Sequence, residues 1–330
     1  MTKTDTRDAD ATLAQLESLA AAGCEIARVA IPDREAAEGF AEVCKGSPIP
    51  VVADIHFDHT LALAALKAGA DGVRINPGNI GGREALETVA RAAKERGVSL
   101  RVGVNAGSLE KTVYAKHRGA TPLALAKSVI VYVRWLEEFG MTDLILSAKS
   151  ASVPVTIEAY RILAQVTEYP LHIGVTEAGL ATAGIIKTSV GLGVLLYEGI
   201  GDCLRVSLTG PPEEEVRVGY EILKSLGIRE FGPVLVSCPT CGRCRVNLRD
   251  IAEKVSRALR EIRQPLTVAV MGCEVNGPGE AKEADVGLAC GQRSSLIFRR
   301  GEVVRKVTEA ESVDALLEEV RRFLDESSQP

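Results

Sequence analysis

Aromatic side chains are scarce. Phe, Trp and Tyr make up 4% of the 330 residues, although 46% are hydrophobic. Apolar core area must come from Ala, Val, Leu and Ile, as in α/β proteins with buried parallel strands. Positive charge is not in excess either. A net charge of −5 argues against wholesale binding of nucleic acid or of an anionic membrane, yet leaves room for a local basic pocket. No apolar run is long enough to span a bilayer, since the stretch from Val190 to Leu196 is short and is followed by Glu198. The first twelve residues are polar and contain no signal-type apolar core. Eight cysteines are too few for a secreted disulfide scaffold. The expected compartment is the cytoplasm, with thiols reduced. Nucleotide motifs are missing too: there is no P-loop, and Gly191-Leu-Gly193 lacks the third glycine of a dinucleotide fingerprint. This argues against hydride transfer from a nicotinamide. Electrons would have to enter through cysteines.

What is present up to about residue 231 is one recurring unit: a helix rich in Ala, Leu, Glu and Lys, a glycine-containing turn, and a short strand rich in Val and Ile. Strands are expected at Ile26–Ile31, Pro50–Ile55, Gly72–Ile75, Leu100–Val104, Leu144–Ser147, Leu171–Val175 and Cys203–Leu208. Helices are expected between them, among others at Glu84–Arg96, Leu123–Phe139 and Glu213–Leu226. Seven βα units at this spacing favour a TIM-type (β/α)₈ barrel over an open doubly wound sheet. The first strand of such a barrel is not readable. Met1 to Thr6 is polar and leads into a helix near Ala11–Ala22, as a strand-to-helix loop would. The expectation is a chain truncated upstream or a barrel open at that seam. Residues 232–330 change rhythm and predict a smaller α/β domain. Its strands are expected near 234–237, 267–271, 285–289, 296–298 and 303–307. A helix capped by Asn247 should run to Ile262, and a last one should begin at Ser312.

Four expected strands carry an arginine between apolar neighbours: Arg28, Arg74, Arg101 and Arg205. Burying an unpaired guanidinium costs several kcal/mol, in rough terms. Each could pair with a carboxylate such as Asp54, Asp71 or Glu177 as a structural network. Alternatively, several could converge on one anion, since guanidinium geometry suits phosphate. The sequence around the strand ends favours convergence for the set. Asp54-Ile-His56, Arg74-Ile-Asn76-Pro-Gly, Arg101-Val-Gly-Val-Asn105, Ser147-Ala-Lys149, Thr176-Glu177 and Arg205-Val-Ser207 put polar groups at the catalytic rim of a barrel. Together they describe a site for a small polyanion bearing hydroxyl groups.

Cys238-Pro-Thr-Cys241-Gly-Arg-Cys244 and Met271-Gly-Cys273-Glu-Val-Asn-Gly-Pro-Gly-Glu280 both fall at expected strand ends of the second domain. Grouped thiolates in a reducing compartment bind zinc or an iron–sulfur cluster, or act in redox chemistry. Spacing alone leaves zinc and iron–sulfur open, because the same ligands serve both. Cys244 or Cys290 could complete a zinc site. Cys24, Cys44, Cys203 and Cys290 read as small buried hydrophobes.

These two cysteine segments resemble those of bacterial 4-hydroxy-3-methylbut-2-enyl diphosphate synthases of the methylerythritol phosphate route to isoprenoids. The resemblance extends through Ala53-Asp-Ile-His-Phe57, Arg74-Ile-Asn-Pro-Gly-Asn79, Gly103-Val-Asn-Ala-Gly-Ser-Leu-Glu110, Gly174-Val-Thr-Glu-Ala-Gly179 and Arg205-Val-Ser-Leu208. It covers essentially the whole chain. The family has a further segment ahead of residues matching Met1-Thr2, including a strand.

The resemblance implies a TIM barrel (residues 1–231) that binds substrate and a domain (residues 232–330) that carries one 4Fe-4S cluster. The cluster ligands would be Cys238, Cys241, Cys273 and Glu280, with Cys244 a bystander. Arg28, Arg74, Arg101, Lys149 and Ser207 would hold a diphosphate. Asp54, His56, Asn105 and Glu177 would line the reacting carbons, with Glu177 the proton donor. The implied substrate is 2-C-methyl-D-erythritol 2,4-cyclodiphosphate, opened and dehydroxylated with two electrons from ferredoxin or flavodoxin. The implied assembly is a homodimer, with neither nucleic acid nor membrane as partner. A competing reading is a pterin-binding-type barrel transferase with a structural zinc appendage, because Asn76-Pro-Gly after a strand also suits such barrels.

Overall fold

In the computed structural model of the chain, the structure describes residues 1–244, 246–273, 279, 281–291 and 294–327. It divides into two compact units, Met1–Ile228 and Arg229–Pro330.

In the first unit, strands and helices alternate because Val/Ile-rich segments alternate with longer Ala/Leu/Glu/Lys segments that carry N-capping residues. Asp8, Asp33, Asp58 and Thr121 each accept a hydrogen bond from a backbone N–H in the first turn of the helix that follows. The elements are α1 (Ala9–Ala21), β1 (Ala27–Ala30), α2 (Arg34–Gly46), β2 (Val51–Ile55), α3 (His59–Ala68), β3 (Gly72–Ile75), α4 (Arg83–Arg96) and β4 (Ser99–Asn105). They continue with α5 (Lys111–Lys116), α6 (Pro122–Glu138), β5 (Leu144–Lys149), α7 (Val153–Val166), β6 (His172–Ile173), α8 (Ala181–Tyr197), β7 (Cys203–Leu204) and α9 (Pro212–Ser225). All seven expected strand positions are occupied by strands, although only two residues each pair in β6 and β7.

Strands β1 to β5 form a parallel sheet in sequence order, and β6 pairs with β7 in parallel. A bridge between Leu146 and Leu171 links β5 to β6. There the buried Tyr160 hydroxyl accepts from Ala148 N at 3.3 Å and donates to the His172 carbonyl at 2.7 Å, replacing ladder bonds the short strand does not make. At the other edge Thr2 N donates to the Arg28 carbonyl at 3.0 Å. Lys3 Nζ donates to the carbonyls of Leu208 (3.1 Å) and Gly210. Residues 2 and 3 thus connect β1 with the segment after β7, and α1 is the first regular element among the described residues.

Alternation along the strands sorts side chains into two layers. Ala27, Val29, Ala53, Ile55, Val73, Ile75, Leu100, Val102, Val104, Leu146, Ala148 and Ile173 belong to the main apolar core, together with residues of the flanking helices such as Leu16, Phe40, Leu66, Leu86, Leu125 and Leu163. The intervening positions carry the polar groups. The apolar core is therefore the strand–helix layer, and the sheet's other face is left to charge.

The second unit contains β8 (Pro233–Ser237), α10 (Leu248–Leu259), β9 (Leu266–Met271), β10 (Val286–Cys290), β11 (Ser295–Arg299), β12 (Glu302–Val307) and α11 (Ser312–Ser327). Its sheet order is β12-β11-β10-β9-β8, with β8, β9 and β10 parallel and β11 and β12 antiparallel. Asn247 caps α10 as expected, accepting from Asp250 N at 3.3 Å. The helix ends at Leu259 rather than Ile262. A turn brings Ile262 N to the Leu259 carbonyl, and Ile262 still packs on the core made by Leu248, Ile251, Val255 and Leu259.

Candidate active site

The parallel register aligns the charged residues of the first unit. Asp54 of β2 is the register partner of Arg74 of β3, and Arg74 is the partner of Arg101 of β4. Two layers nearer the strand ends, Asn105 of β4 partners Lys149 of β5. His172 of β6 partners Cys203 of β7. Counting by twos from these positions reaches His56, Asn76, Gly103, Ser147, Gly174, Arg205 and Ser207, and Arg28 of β1 partners Val52, two residues before Asp54. The expected substrate residues on β1 to β5 and in the segment after β7 thus share one face.

Asp54 is the centre of one group. It is 2% exposed, with Oδ1 3.2 Å from Arg74 Nη1 and Oδ2 3.7 Å from Arg28 Nε and 3.3 Å from His56 Nε2. Arg74 also donates to the Gly103 carbonyl at 3.2 Å. Burial pushes the Asp54 carboxyl up, but the His56 hydrogen bond and the charges of Arg28 and Arg74 outweigh it and hold the group well below the usual carboxylate range. Arg205 pairs more loosely with the buried Glu215 of α9, at 3.9 Å. Glu215 also accepts from Leu208 N at 3.0 Å and lies 3.3 Å from Lys3 Nζ. Of the carboxylates expected to neutralise the arginines, only Asp54 does so. Asp71 instead accepts from Val51 N at 2.8 Å, which fixes the start of β2. Glu177 is solvent-exposed.

Arg101 and Lys149 are both buried, and neither has a carboxylate within 4.0 Å among the described residues. Burial depresses the Arg101 guanidinium, and the charges of Arg28 and Arg74 add to the effect. Burial likewise lowers Arg205, to about 10, reinforced by Arg28. For Lys149 burial comes first, followed by Arg28, Arg205 and Arg101, and the ammonium is pushed well below its usual range. Buried Nε groups of Arg28, Arg101 and Arg205 have no hydrogen-bond partner among the described residues. The interior thus gathers Arg28, Arg74, Arg101, Lys149 and Arg205 around Asp54 and Glu215, with donors left over. Such an excess suits a polyanion.

Two glycines make room for this arrangement. A Cβ on Gly103 would stand 2.6 Å from Arg74 Nε and 3.1 Å from Ser147 Oγ. One on Gly174 would stand 2.7 Å from the Arg205 carbonyl and 3.0 Å from Lys149 Nζ. Near the rim, Asn76 Nδ2 donates to Ser108 Oγ at 2.8 Å, and Ser108 Oγ donates to the Asn105 carbonyl at 3.3 Å, tying the turn after β4 to the end of β3. Ser207 is half-buried, two positions past Arg205. Glu177, in the loop after β6, has φ +53°, a left-handed conformation that non-glycine residues seldom adopt and that clusters at functional sites.

Two features escaped the sequence reading. Arg205 was noticed as a strand arginine, but the diphosphate set implied by the resemblance omits it; it stands among the other cations. Cys203 is more than a small apolar filler: its Sγ lies 3.0 Å from His172 Nδ1. Burial pushes this thiol up, and burial followed by Lys149 and Arg101 keeps His172 neutral, its pKa far below the ordinary value. A cysteine and a histidine on separate strands give no local signal; only the β6–β7 register joins them.

In the second unit, parallel pairing of Ser237 with Val270 brings the ends of β8 and β9 side by side. Cys238 N donates to the Val270 carbonyl at 3.3 Å, and Gly272 N donates to Cys238 Sγ at 3.4 Å. Cys241 is exposed beyond Thr240, whose φ is +63°, and its carbonyl accepts from Cys244 N at 2.9 Å. Cys244 lies against Gly272, where an added Cβ would meet its Sγ at 2.7 Å. Cys273 is half-buried just past β9, and Cys290 is buried in the core, where burial pushes its thiol up to about 11. Among the described residues no three His, Cys, Asp or Glu side chains form a metal-holding group. Glu280, the fourth expected ligand, lies outside the described residues. The donor types present nonetheless suit iron–sulfur chemistry: Cys238 and Cys273 follow the ends of two neighbouring strands, and a backbone N–H already points at one sulfur.

Residues 1–220 match the model of the GcpE TIM-barrel domain, and residues 234–322 that of the GcpE protein C-terminal domain. The chain is 58% identical over 326 residues to the 4-hydroxy-3-methylbut-2-en-1-yl diphosphate synthase (flavodoxin) of Geobacter sulfurreducens, covering 99% of this chain and 92% of that protein. It is 54% identical to the protein of that name from Maridesulfovibrio salexigens, over 99% and 91% of the two chains. For Caldanaerobacter subterraneus the identity is 50%, over 99% and 92%. The chain therefore belongs to the GcpE family, its first unit containing that family's TIM-barrel domain and its second that family's C-terminal domain.

Proposed function

We propose that this chain reductively opens 2-C-methyl-D-erythritol 2,4-cyclodiphosphate to 4-hydroxy-3-methylbut-2-enyl diphosphate, with flavodoxin as electron donor. The names of its relatives state the product and the donor. Counted on the neutral acids, two electrons and two protons yield the linear diphosphate and one water. One ring C–O bond to phosphate breaks, the neighbouring hydroxyl departs as water, and a C=C bond forms between the two carbons. The observation that carries the proposal is the set of buried cations, with the Nε–H groups of Arg28, Arg101 and Arg205 unpartnered among the described residues. These groups need an acceptor, and a diphosphate supplies several. The pterin-type transferase with a zinc appendage is not favoured, because relatives spanning 99% of the chain carry the synthase name.

In this reading Arg28, Arg74, Arg101, Lys149, Arg205 and Ser207 hold the diphosphate. Asp54 keeps Arg28 and Arg74 aimed, and His56 and Asn105 face the carbon skeleton. Glu177 protonates the departing hydroxyl. Residues 1–231 bind substrate and residues 232–330 carry one 4Fe-4S cluster on Cys238, Cys241, Cys273 and Glu280. Held by these residues, such a cluster would supply the electrons one at a time. A cytoplasmic homodimer completes the proposal; no described helix is long and apolar enough to cross a membrane. The test is anaerobic. Protein loaded with iron and sulfide, given reduced flavodoxin and the cyclic diphosphate, should form the linear diphosphate. Absence of product from fully loaded protein, or stoichiometric zinc in colourless protein, would reject the reading.

A further inference from the structure

Lys149 is the one member of the interior cation group that can shed its charge. Arg28 of β1, Arg101 of β4 and Arg205 just past β7 face it, and guanidinium groups keep their proton under all ordinary conditions. The other titratable neighbours are His172 of β6 and Cys203 of β7, which are hydrogen-bonded to each other. Gly174, just past β6, leaves the space beside Lys149 Nζ, and Asn105 of β4 is the register partner of Lys149. Both interior carboxylates are engaged elsewhere, Asp54 by Arg28 and Arg74 and Glu215 by Arg205 and Lys3. An ammonium here is desolvated, repelled by three guanidinium groups and opposed by no carboxylate within 4.0 Å among the described residues.

We propose that Lys149 is uncharged in the free protein and takes up one proton from solvent as the cyclic diphosphate binds, so that anion and proton enter this site together. The inference rests on the substrate proposed above. The cyclic diphosphate carries one strongly acidic oxygen on each phosphorus and has no group that titrates near neutrality. A proton gained on binding must therefore settle on the protein. The entering negative charge offsets the three guanidinium groups and restores the ammonium, which then donates to phosphate oxygen. Burial and neighbouring cations act on Lys149 in the same direction, whereas Asp54 is held ionised by its partners. The sign follows from linkage. Below the free lysine's depressed value it is protonated before and after binding, and no uptake occurs. Between the free and bound values each complex gains a proton, and affinity falls as pH rises.

The test is titration calorimetry of oxidised, cluster-loaded protein with the cyclic diphosphate, without reductant, in two buffers of different ionisation heat. The expected result is close to one proton gained per site, with Kd rising about tenfold per pH unit across the window of uptake. In Lys149→Arg the charge is permanent, so uptake should vanish and Kd should become nearly independent of pH. Lys149→Met, similar in length and unable to bind a proton, should lose uptake too and keeps the test open if the arginine variant does not fold. Binding by wild type without proton uptake would overturn the proposal. So would wild-type uptake in either variant, and loss of uptake in His172→Asn alone would move the proton to that imidazole. No binding heat in any wild-type titration would instead reject the proposed substrate.

Discussion

Asp54 and Arg74 are register partners on adjacent parallel strands, and their carboxylate and guanidinium meet at 3.2 Å inside the sheet's charged face. The pairing gives Asp54 a structural task besides any part near the substrate. Replacing it with Asn leaves Arg74 buried and unneutralised, and breaking a buried pair costs about 3–5 kcal/mol. The Asp54 pKa is depressed by folding, so its stabilisation is complete above the ordinary carboxylate value of about 3.9 and is lost as pH falls towards the folded value. Asp54→Asn should therefore unfold at lower urea than wild type at neutral pH, with the gap closing in acid. Trp135, the only tryptophan, lies on α6 and reports the first unit selectively.

Gly103 and Gly174 should tolerate no methyl group. Alanine at Gly103 collides with the Arg74 side chain, and alanine at Gly174 collides with the Arg205 carbonyl and Lys149 Nζ. Overpacking of this kind costs about 1–3 kcal/mol. The displaced groups are the proposed phosphate ligands, so the loss should appear in affinity as well as stability. Gly174→Ala is expected to raise Kd for the cyclic diphosphate at least about tenfold, as a 1.4 kcal/mol loss would. The visible spectrum of the cysteine unit should not change. Wild-type affinity in both variants would remove these cations from the binding site.

Much of this arrangement could be read before any coordinates. The arginines stand between apolar neighbours in Ala27-Arg28-Val29, Val73-Arg74-Ile75, Leu100-Arg101-Val102 and Leu204-Arg205-Val206, and strand geometry alone turns that pattern into one charged and one apolar face. Seven strands and the helix capped by Asn247 were legible for the same local reasons. Partners that depend on distant segments were not. Glu215 meets Arg205 only because α9 folds back beside β7, and His172 meets Cys203 only through strand register. The left-handed backbone of Glu177 had no sequence signal, since Thr-Glu-Ala-Gly fits many loops. Conversely, Asp71 looked like an arginine partner by proximity in sequence, but the unpaired Val51 N–H claims it.

As the proposed proton donor, Glu177 offers a way to separate chemistry from binding. Its side chain is exposed and its backbone strained, so the fold does not depend on the carboxylate. Glu177→Gln should leave the Kd of the cyclic diphosphate within about twofold while lowering kcat by about 10²–10⁴, the range for losing a general acid. Glu177→Gly should be equally impaired but more stable by up to about 1 kcal/mol, because glycine adopts the same φ without strain. Unimpaired turnover in Glu177→Gln would assign proton delivery to another group.

The thiols can be sorted by metal content rather than by turnover. Cys273 stands just past β9, beside the Gly272 N–H that points at Cys238 Sγ, whereas Cys244 turns against Gly272 and Leu248 and its Sγ donates to the Val246 carbonyl at 3.4 Å. Packed in this way, Cys244 has a role without iron. Anaerobically prepared Cys244→Ser should retain the iron and sulfide content of wild type and lose about 1 kcal/mol of stability at most, a typical cost for one surface-proximal substitution. Cys238→Ser and Cys273→Ser should each lose iron, sulfide and the visible absorbance together, because each removes one of the thiolates proposed to hold the cluster. Chelation of wild type should bleach the protein without unfolding the first unit, whose core lies between its own strands and helices. Iron retained by Cys273→Ser, or lost from Cys244→Ser, would exchange the places of these two cysteines in the ligand set.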